Sequence, residues 1–272
     1  MKIAIIGYGN MGQTYAKSFV SSGFVNPNEV FVLTRTLATV EKRNAIPKEN
    51  FFDSPTKQFL EVDIVIIAVK PQDFDALAFE LKSFLTKDHL VLSVMAGISM
   101  ERMKSQLGIE KIVRSMPNIP TQIGQGMTVF CASNEVDRKE LFIIQNLINT
   151  TGKSLFIEKE DMLNAATAIS GSGPAYVFYF MNALIEAAQK IGFSKSEAEF
   201  LVQQTFMGSS QLQNRSKLSN KEWITKVASK GGTTEAALTI FNTFDLNSSI
   251  EQAIFAANDR AIELGKIIDT TK

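Results

Sequence analysis

The sequence predicts an α/β protein: a doubly wound, parallel sheet over residues 1–160, followed by an all-helical domain over residues 161–272. Three observations carry this expectation. As far as residue 157, short β-branched runs alternate with longer amphipathic stretches, the pattern of strands joined by crossover helices. After Glu158 the strand-like runs stop and apolar residues recur at helical spacing. The first run, Lys2–Ile6, leads straight into a glycine-rich turn and an amphipathic stretch reaching Ser22.

In chain order the expected strands are Lys2–Ile6, Glu29–Leu33, Asp63–Val69, Leu90–Met95, Lys111–Met116, Met127–Cys131 and Ser154–Ile157. Several are apolar at nearly every position, as strands covered on both faces must be. The expected helices of the second half are Pro174–Ile191, Ser194–Gln213, Asn220–Val227, Thr234–Phe244 and Ser249–Ile268. Pro174 suits a first helical turn, and Ser194-Lys195-Ser196-Glu197 fits a capping box. The stretch Pro174–Ala188 is more apolar than a surface helix requires, which points to burial between helices or between subunits.

Composition narrows the function classes. Lys plus Arg and Asp plus Glu both number 28, so no net field recruits nucleic acid or an anionic membrane, and a small-molecule partner fits better. Apolar residues at 45% and charged residues at 21% are the values of a globular chain rather than a disordered one. Cys131 is the only cysteine, which excludes an internal disulfide or a cysteine-based metal cluster. The longest apolar stretches, such as Ile64–Val69, fall far short of the ~20 residues that span a bilayer. Met1-Lys2 runs directly into the first strand with no export signal, so the expected location is the cytoplasm. His89, the only histidine, lies away from every motif and reads as a surface residue.

Gly7-Tyr8-Gly9-Asn10-Met11-Gly12 stands in the strand–turn–helix context of a phosphate-binding fingerprint, which makes the first domain Rossmann-type. Gly7 permits the tight turn, Gly9 admits a pyrophosphate close to backbone, and Gly12 lets helix and strand pack closely. Free N–H groups of Asn10 and Met11 and the positive end of the helix dipole complete an anion site. At the end of the second strand, Leu33-Thr34-Arg35-Thr36 has no acid to accept from a ribose 2′-hydroxyl. Arg35 offers a planar donor fork and Thr34 a hydroxyl, chemistry suited to a 2′-phosphate, so NADPH is favoured and NADH is the weaker possibility. A solvated surface arginine is the bland alternative. Ala68-Val69-Lys70-Pro71 closes a buried strand near the switch point where open α/β sheets bind ligands, and is either a second cofactor contact or a plain strand-ending loop.

Two glycine-bearing segments stand out in the second half. Ser170-Gly171-Ser172-Gly173-Pro174 precedes the most apolar helix, and Ser229-Lys230-Gly231-Gly232-Thr233-Thr234-Glu235 precedes another. The second combines flexible backbone, hydroxyls and a helix start, which suits a small carboxylate. The same residues also fit a plain helix start capped by Thr233 or Thr234.

Taken in order and spacing, Gly7–Gly12, Ala68–Pro71, Met116-Pro117-Asn118, Ser170–Tyr176 and Ser229–Thr234 resemble the pyrroline-5-carboxylate reductase family. The resemblance extends to Arg260-Ala261-Ile262-Glu263-Leu264, similar to that family's last helix, and so covers nearly the whole chain. It implies NADPH-dependent reduction of (S)-1-pyrroline-5-carboxylate to L-proline and a helical domain that dimerises by interleaving, giving a homodimer or a larger assembly of dimers. It also implies that Ser229, Gly231, Gly232 and Thr233 hold the substrate carboxylate while Thr234 bonds the ring nitrogen. An imine arrives protonated and needs little acid–base machinery. A β-hydroxyacid dehydrogenase, by contrast, needs a lysine on the interdomain helix, and Pro174–Asn182 contains none. One departure stands in the loop: the family usually has proline where this chain has Lys230. It frees the backbone and adds a cation, which keeps two alternatives open, a reductase of a related cyclic imine and a catalytically silent NADP(H)-binding relative.

Overall fold

The computed structural model describes residues 1–37 and 45–270. Its sheet has eight strands: β1 (Ile3–Ile6), β2 (Val30–Leu33), β3 (Phe51–Phe52), β4 (Ile64–Ile67), β5 (Leu90–Ser93), β6 (Ile112–Met116), β7 (Gly126–Ala132) and β8 (Gly152–Phe156). They lie in the order β3-β2-β1-β4-β5-β6-β7-β8. The chain therefore winds one way from β1 to β3 and the other way from β4 onward, and the switch lies between β1 and β4.

Side-chain alternation explains why both faces are covered. Ile3 and Ile5 of β1 belong to one buried cluster with Tyr15, Phe19, Ile144 and Leu147. Ala4 and Ile6 belong to the other, with Phe74, Leu81, Met103 and Leu107. Helices α1 (Asn10–Ser21) and α4 (Arg138–Asn149) thus cover the first face, and α2 (Phe74–Leu81) and α3 (Met100–Leu107) the second.

Two features of the sheet differ from the sequence reading. β3 is only two residues long, too short for an alternating pattern to register. β7 runs antiparallel to β6, because residues 117–125 are too few for the crossover that a parallel pair requires, about a dozen residues or more. A third difference concerns His89, which is 2% exposed rather than a surface residue. Its Nδ1 lies 2.8 Å from the Thr86 N–H and its Nε2 3.0 Å from the Phe59 carbonyl. Backbone satisfies both ring nitrogens, so the side chain clamps the entry to β5.

The chain divides into two compact units, Met1–Ser172 with the residues from Ala257 onward, and Gly173–Ala256. Residues 161–172, placed with the helices by sequence, group with the sheet. Leu163 of α5 (Met162–Ala166) is buried against Val129 and Cys131 of β7, which ties that turn down. The second unit holds α6 (Gly173–Lys190), α7 (Lys195–Asn214), α8 (Asn220–Val227), α9 (Thr233–Thr243) and the start of α10 (Leu246–Thr270). Of its residues only Ala198 and Val202 are buried. No helix of the described residues is long and apolar enough to cross a membrane.

Burial pushes the Cys131 thiol up to about 12. It is therefore protonated at neutral pH and shielded. A thiol reagent at pH 8 is expected to label native protein only as fast as it unfolds, and to label urea-unfolded protein at once; rapid native labelling would contradict the packing of β7.

Candidate functional site

The turn after β1 is built by exclusion of side chains. Gly7 has φ of +95°, a conformation that other residues adopt only with strain, and a Cβ there would lie 2.8 Å from the Ala68 carbonyl oxygen. Gly12 sits one turn into α1, where a Cβ would lie 2.0 Å from the Gly7 carbonyl oxygen. Helix and strand consequently touch backbone to backbone. Gly9 differs: a Cβ there would meet nothing within 4 Å, so its space is open to a ligand. Gly9 is also the N-cap of α1, with no capping side chain and no acid in the first turn. Among the described residues nothing accepts from the N–H groups of Asn10, Met11 and Gly12, a set of donors and a dipole end suited to an anion.

The two expected flanking segments converge on this turn. Ala68 donates its N–H to the Ile6 carbonyl at 2.8 Å, and Gly7 donates to Leu33 at 2.8 Å. The ends of β1, β2 and β4 are thereby stitched together at the switch point. Thr34 donates to Phe52, and Arg35 extends into solvent, 84% exposed, with its guanidinium 3.2 Å from the Asp73 carboxylate. Lys70 is exposed and precedes the helical turn Pro71–Asp73.

Beside the β4 end the first unit contains a cavity of about 480 Å³. It is lined by Pro71, Gln72, Ala96, Gly97, Asn164 and Thr167, with Ala261 and Leu264 of α10. Sequence reading missed Ala96, Gly97, Asn164 and Thr167, since they come from separate segments with no shared motif. Met116-Pro117-Asn118 does local work here. A π-helical turn over Thr167–Gly171 leaves the Ser170 carbonyl available, and the Asn118 amide donates to it at 3.0 Å while its oxygen accepts from Met127 at 2.9 Å. A Cβ at Gly171 would meet the Met116 methyl at 2.7 Å, a contact that the flexible end of the methionine side chain can relieve by turning aside.

In the second unit, the loop before α9 ends on Gly232 as N-cap. Thr233 and Thr234 are therefore inside the helix, and the plain threonine cap considered from sequence is not what the chain adopts. Gly231 takes φ of +75°, Gly232 donates to the Ser229 carbonyl at 3.0 Å, and Gly231 donates to Glu235 Oε2 at 2.6 Å. The remaining first-turn N–H groups, those of Thr233, Thr234 and Glu235, meet no acceptor among the described residues. Helices α4, α7 and α8 are closed by full capping boxes instead: Asp137 with Glu140, Ser194 with Glu197, and Ser219 with Glu222. The box expected at Ser194 is thus present.

A doubly wound sheet with a glycine-built turn and an open helix start at its switch point defines a Rossmann-type protein, here joined to a second, helical unit. Residues 160–264 match the family model described as pyrroline-5-carboxylate reductase dimerisation, and residues 2–97 the model described as NADP oxidoreductase, coenzyme F420-dependent. A curated pyrroline-5-carboxylate reductase of Staphylococcus aureus is 34% identical over 272 residues, covering 99% of this chain and 100% of the relative. Among solved structures, the pyrroline-5-carboxylate reductase of Coxiella burnetii superposes with a TM-score of 0.88 at 32% identity, covering 97% of this chain and 98% of the other. The pyrroline carboxylate reductase of Plasmodium falciparum with NADP bound gives 0.86 at 27% identity, over 97% and 98%. The chain belongs to the pyrroline-5-carboxylate reductase family.

The two glycines of the turn separate packing from ligand space. Gly12→Ala forces a methyl into a carbonyl and is expected to cost about 3 kcal/mol in urea unfolding, whereas Gly9→Ala enters open space and is expected to cost only alanine's weaker fitness as an N-cap, about 1 kcal/mol or less. Equal losses for both would contradict the geometry of the turn.

Proposed function

We infer that this protein reduces (S)-1-pyrroline-5-carboxylate to L-proline with NADPH. The observation that carries the reading is that α1 and α9 both begin on a glycine and both leave first-turn N–H groups without an acceptor among the described residues. The first start suits the dinucleotide pyrophosphate and the second the substrate carboxylate. The cradle fits the cofactor, since Gly12 removes the side chain that would separate helix from strand and Gly9 leaves the space above the turn open. When bound, NADPH supplies the hydride.

Each residue then has a restricted role. Gly7, Gly9, Asn10, Met11 and Gly12 receive the phosphates, and Ala68, Val69, Lys70 and Pro71 border the cofactor where β4 ends. Thr34 and Arg35 receive the 2′-phosphate, Arg35 exchanging its pairing with Asp73 for the ligand. Ser229, Gly231, Gly232 and Thr233 shape the carboxylate site, and the Thr234 hydroxyl meets the ring nitrogen. The ring carbon gains the hydride and the nitrogen keeps the proton it carried in as an iminium ion. Orientation of two reactants does the work, which agrees with a chain whose one histidine is occupied by backbone.

The helical unit, with two buried residues and exposed apolar side chains all round α6 at Val177, Phe178 and Tyr179, is the part through which two copies associate, as a homodimer or a larger assembly of dimers. Cytoplasmic residence accords with a single buried cysteine.

Purified protein is expected to oxidise NADPH only when pyrroline-5-carboxylate is added; cofactor binding without turnover would instead mark a silent relative, and turnover of another cyclic imine alone a different substrate. Thr234→Ala is expected to lower kcat/KM about tenfold to a hundredfold, the loss of one hydrogen bond to a charged group. Arg35→Ala is expected to raise the KM for NADPH about tenfold while sparing NADH, and equal effects on both would contradict the 2′-phosphate contact.

A further inference from the structure

We propose that Glu235 is a positioning residue for substrate capture, holding the loop before α9 in the shape that receives the substrate carboxylate. The proposal rests on the reading of that loop given above. Four α-helices among the described residues carry glutamate at the third helical position. In α4, α7 and α8 the box is reciprocal: the cap side chain accepts from the glutamate N–H, and the glutamate returns to the N–H of the cap. In α9 the cap is Gly232, which has no side chain to offer, yet Glu235 still reaches back and accepts from Gly231 at 2.6 Å. The glutamate's half survives one residue upstream, on Gly231 instead of the cap, and the half that a cap side chain would make is deleted.

The deleted half is an acceptor, and a bound carboxylate restores it. The retained half acts on the backbone. Lys230 gives the loop no proline to limit its conformation, and Gly231 sits at φ of +75°. Two hydrogen bonds hold the turn: Gly232 to the Ser229 carbonyl at 3.0 Å and Gly231 to Glu235. The second is charge-assisted and the stronger of the two. It also ties the Glu235 carboxylate to the residue before the cap, away from the open donors of Thr233 and Thr234, where a loose anion would compete with substrate. Freed from this bond, the loop loses its shape and gains a competitor.

The test compares Glu235→Ala and Glu235→Gln on two imines, pyrroline-5-carboxylate and 1-pyrroline, which lacks the carboxylate, the latter followed as substrate or as competitive inhibitor. Glu235→Ala is expected to raise the KM for pyrroline-5-carboxylate about tenfold with kcat nearly unchanged, and to leave 1-pyrroline unaffected. Glu235→Gln, whose amide oxygen can accept the same N–H, recovers most of the loss, and Lys230→Pro recovers part of it in the alanine background. A KM that falls in Glu235→Ala would show a competitor rather than a brace and overturn the proposal, as would equal losses on both imines. If Glu235→Ala is unfolded by circular dichroism, Glu235→Thr, too short to reach Gly231, carries the test, and an unchanged KM there overturns it. Wild-type protein that reduces neither imine fails the functional reading itself, a result separate from all of these.

Discussion

The contact on which the first unit depends is backbone against backbone: Gly12 of α1 on the carbonyl of Gly7, with 2.0 Å between that oxygen and the place a Cβ would occupy. Everything at the switch point follows from it. The helix can start at the level of the strand end, so its free N–H groups face the opening between β1 and β4 instead of the core. The apolar runs of β1 and β4, buried on both faces, then fix how that opening is oriented. A side chain at Gly12 would push the helix away and remove the anion site without touching any ligand-binding atom.

The helical unit obeys the opposite logic. Its helices are well formed at their ends, with capping boxes at Ser194 and Ser219, and poorly buried along their length. Local signals are enough to start such helices, and only packing keeps them in place. Phe178 at 62% exposed and Phe244 at 77% are large apolar surfaces left open to solvent. This accords with the match of residues 160–264 to a dimerisation model.

Much of this was legible in the residues. Strands of β-branched residues, the glycine turn, the capping box at Ser194 and the glycine loop before α9 all depend on short-range chemistry that a sequence displays directly. What escaped depends on long-range geometry. The antiparallel β7 follows from the length of a connection rather than from any strand pattern. His89 reads as exposed because it stands away from every motif, and is buried because Thr86 and Phe59 backbone close over it. The cavity lining at Ala96, Gly97, Asn164 and Thr167 is assembled from separate segments. Glu235 ends the loop motif in sequence, yet its bond to Gly231 forms only once the loop turns through a left-handed glycine.

Both units serve one chemical event, hydride passing from NADPH to the carbon of a cyclic imine. The most direct measurement uses NADPH deuterated at both C4 positions, pyrroline-5-carboxylate and the purified protein, with mass and nuclear magnetic resonance analysis of the product. The account predicts L-proline carrying a single deuterium on ring carbon 5. No proline, or proline without the label at that carbon, would contradict it.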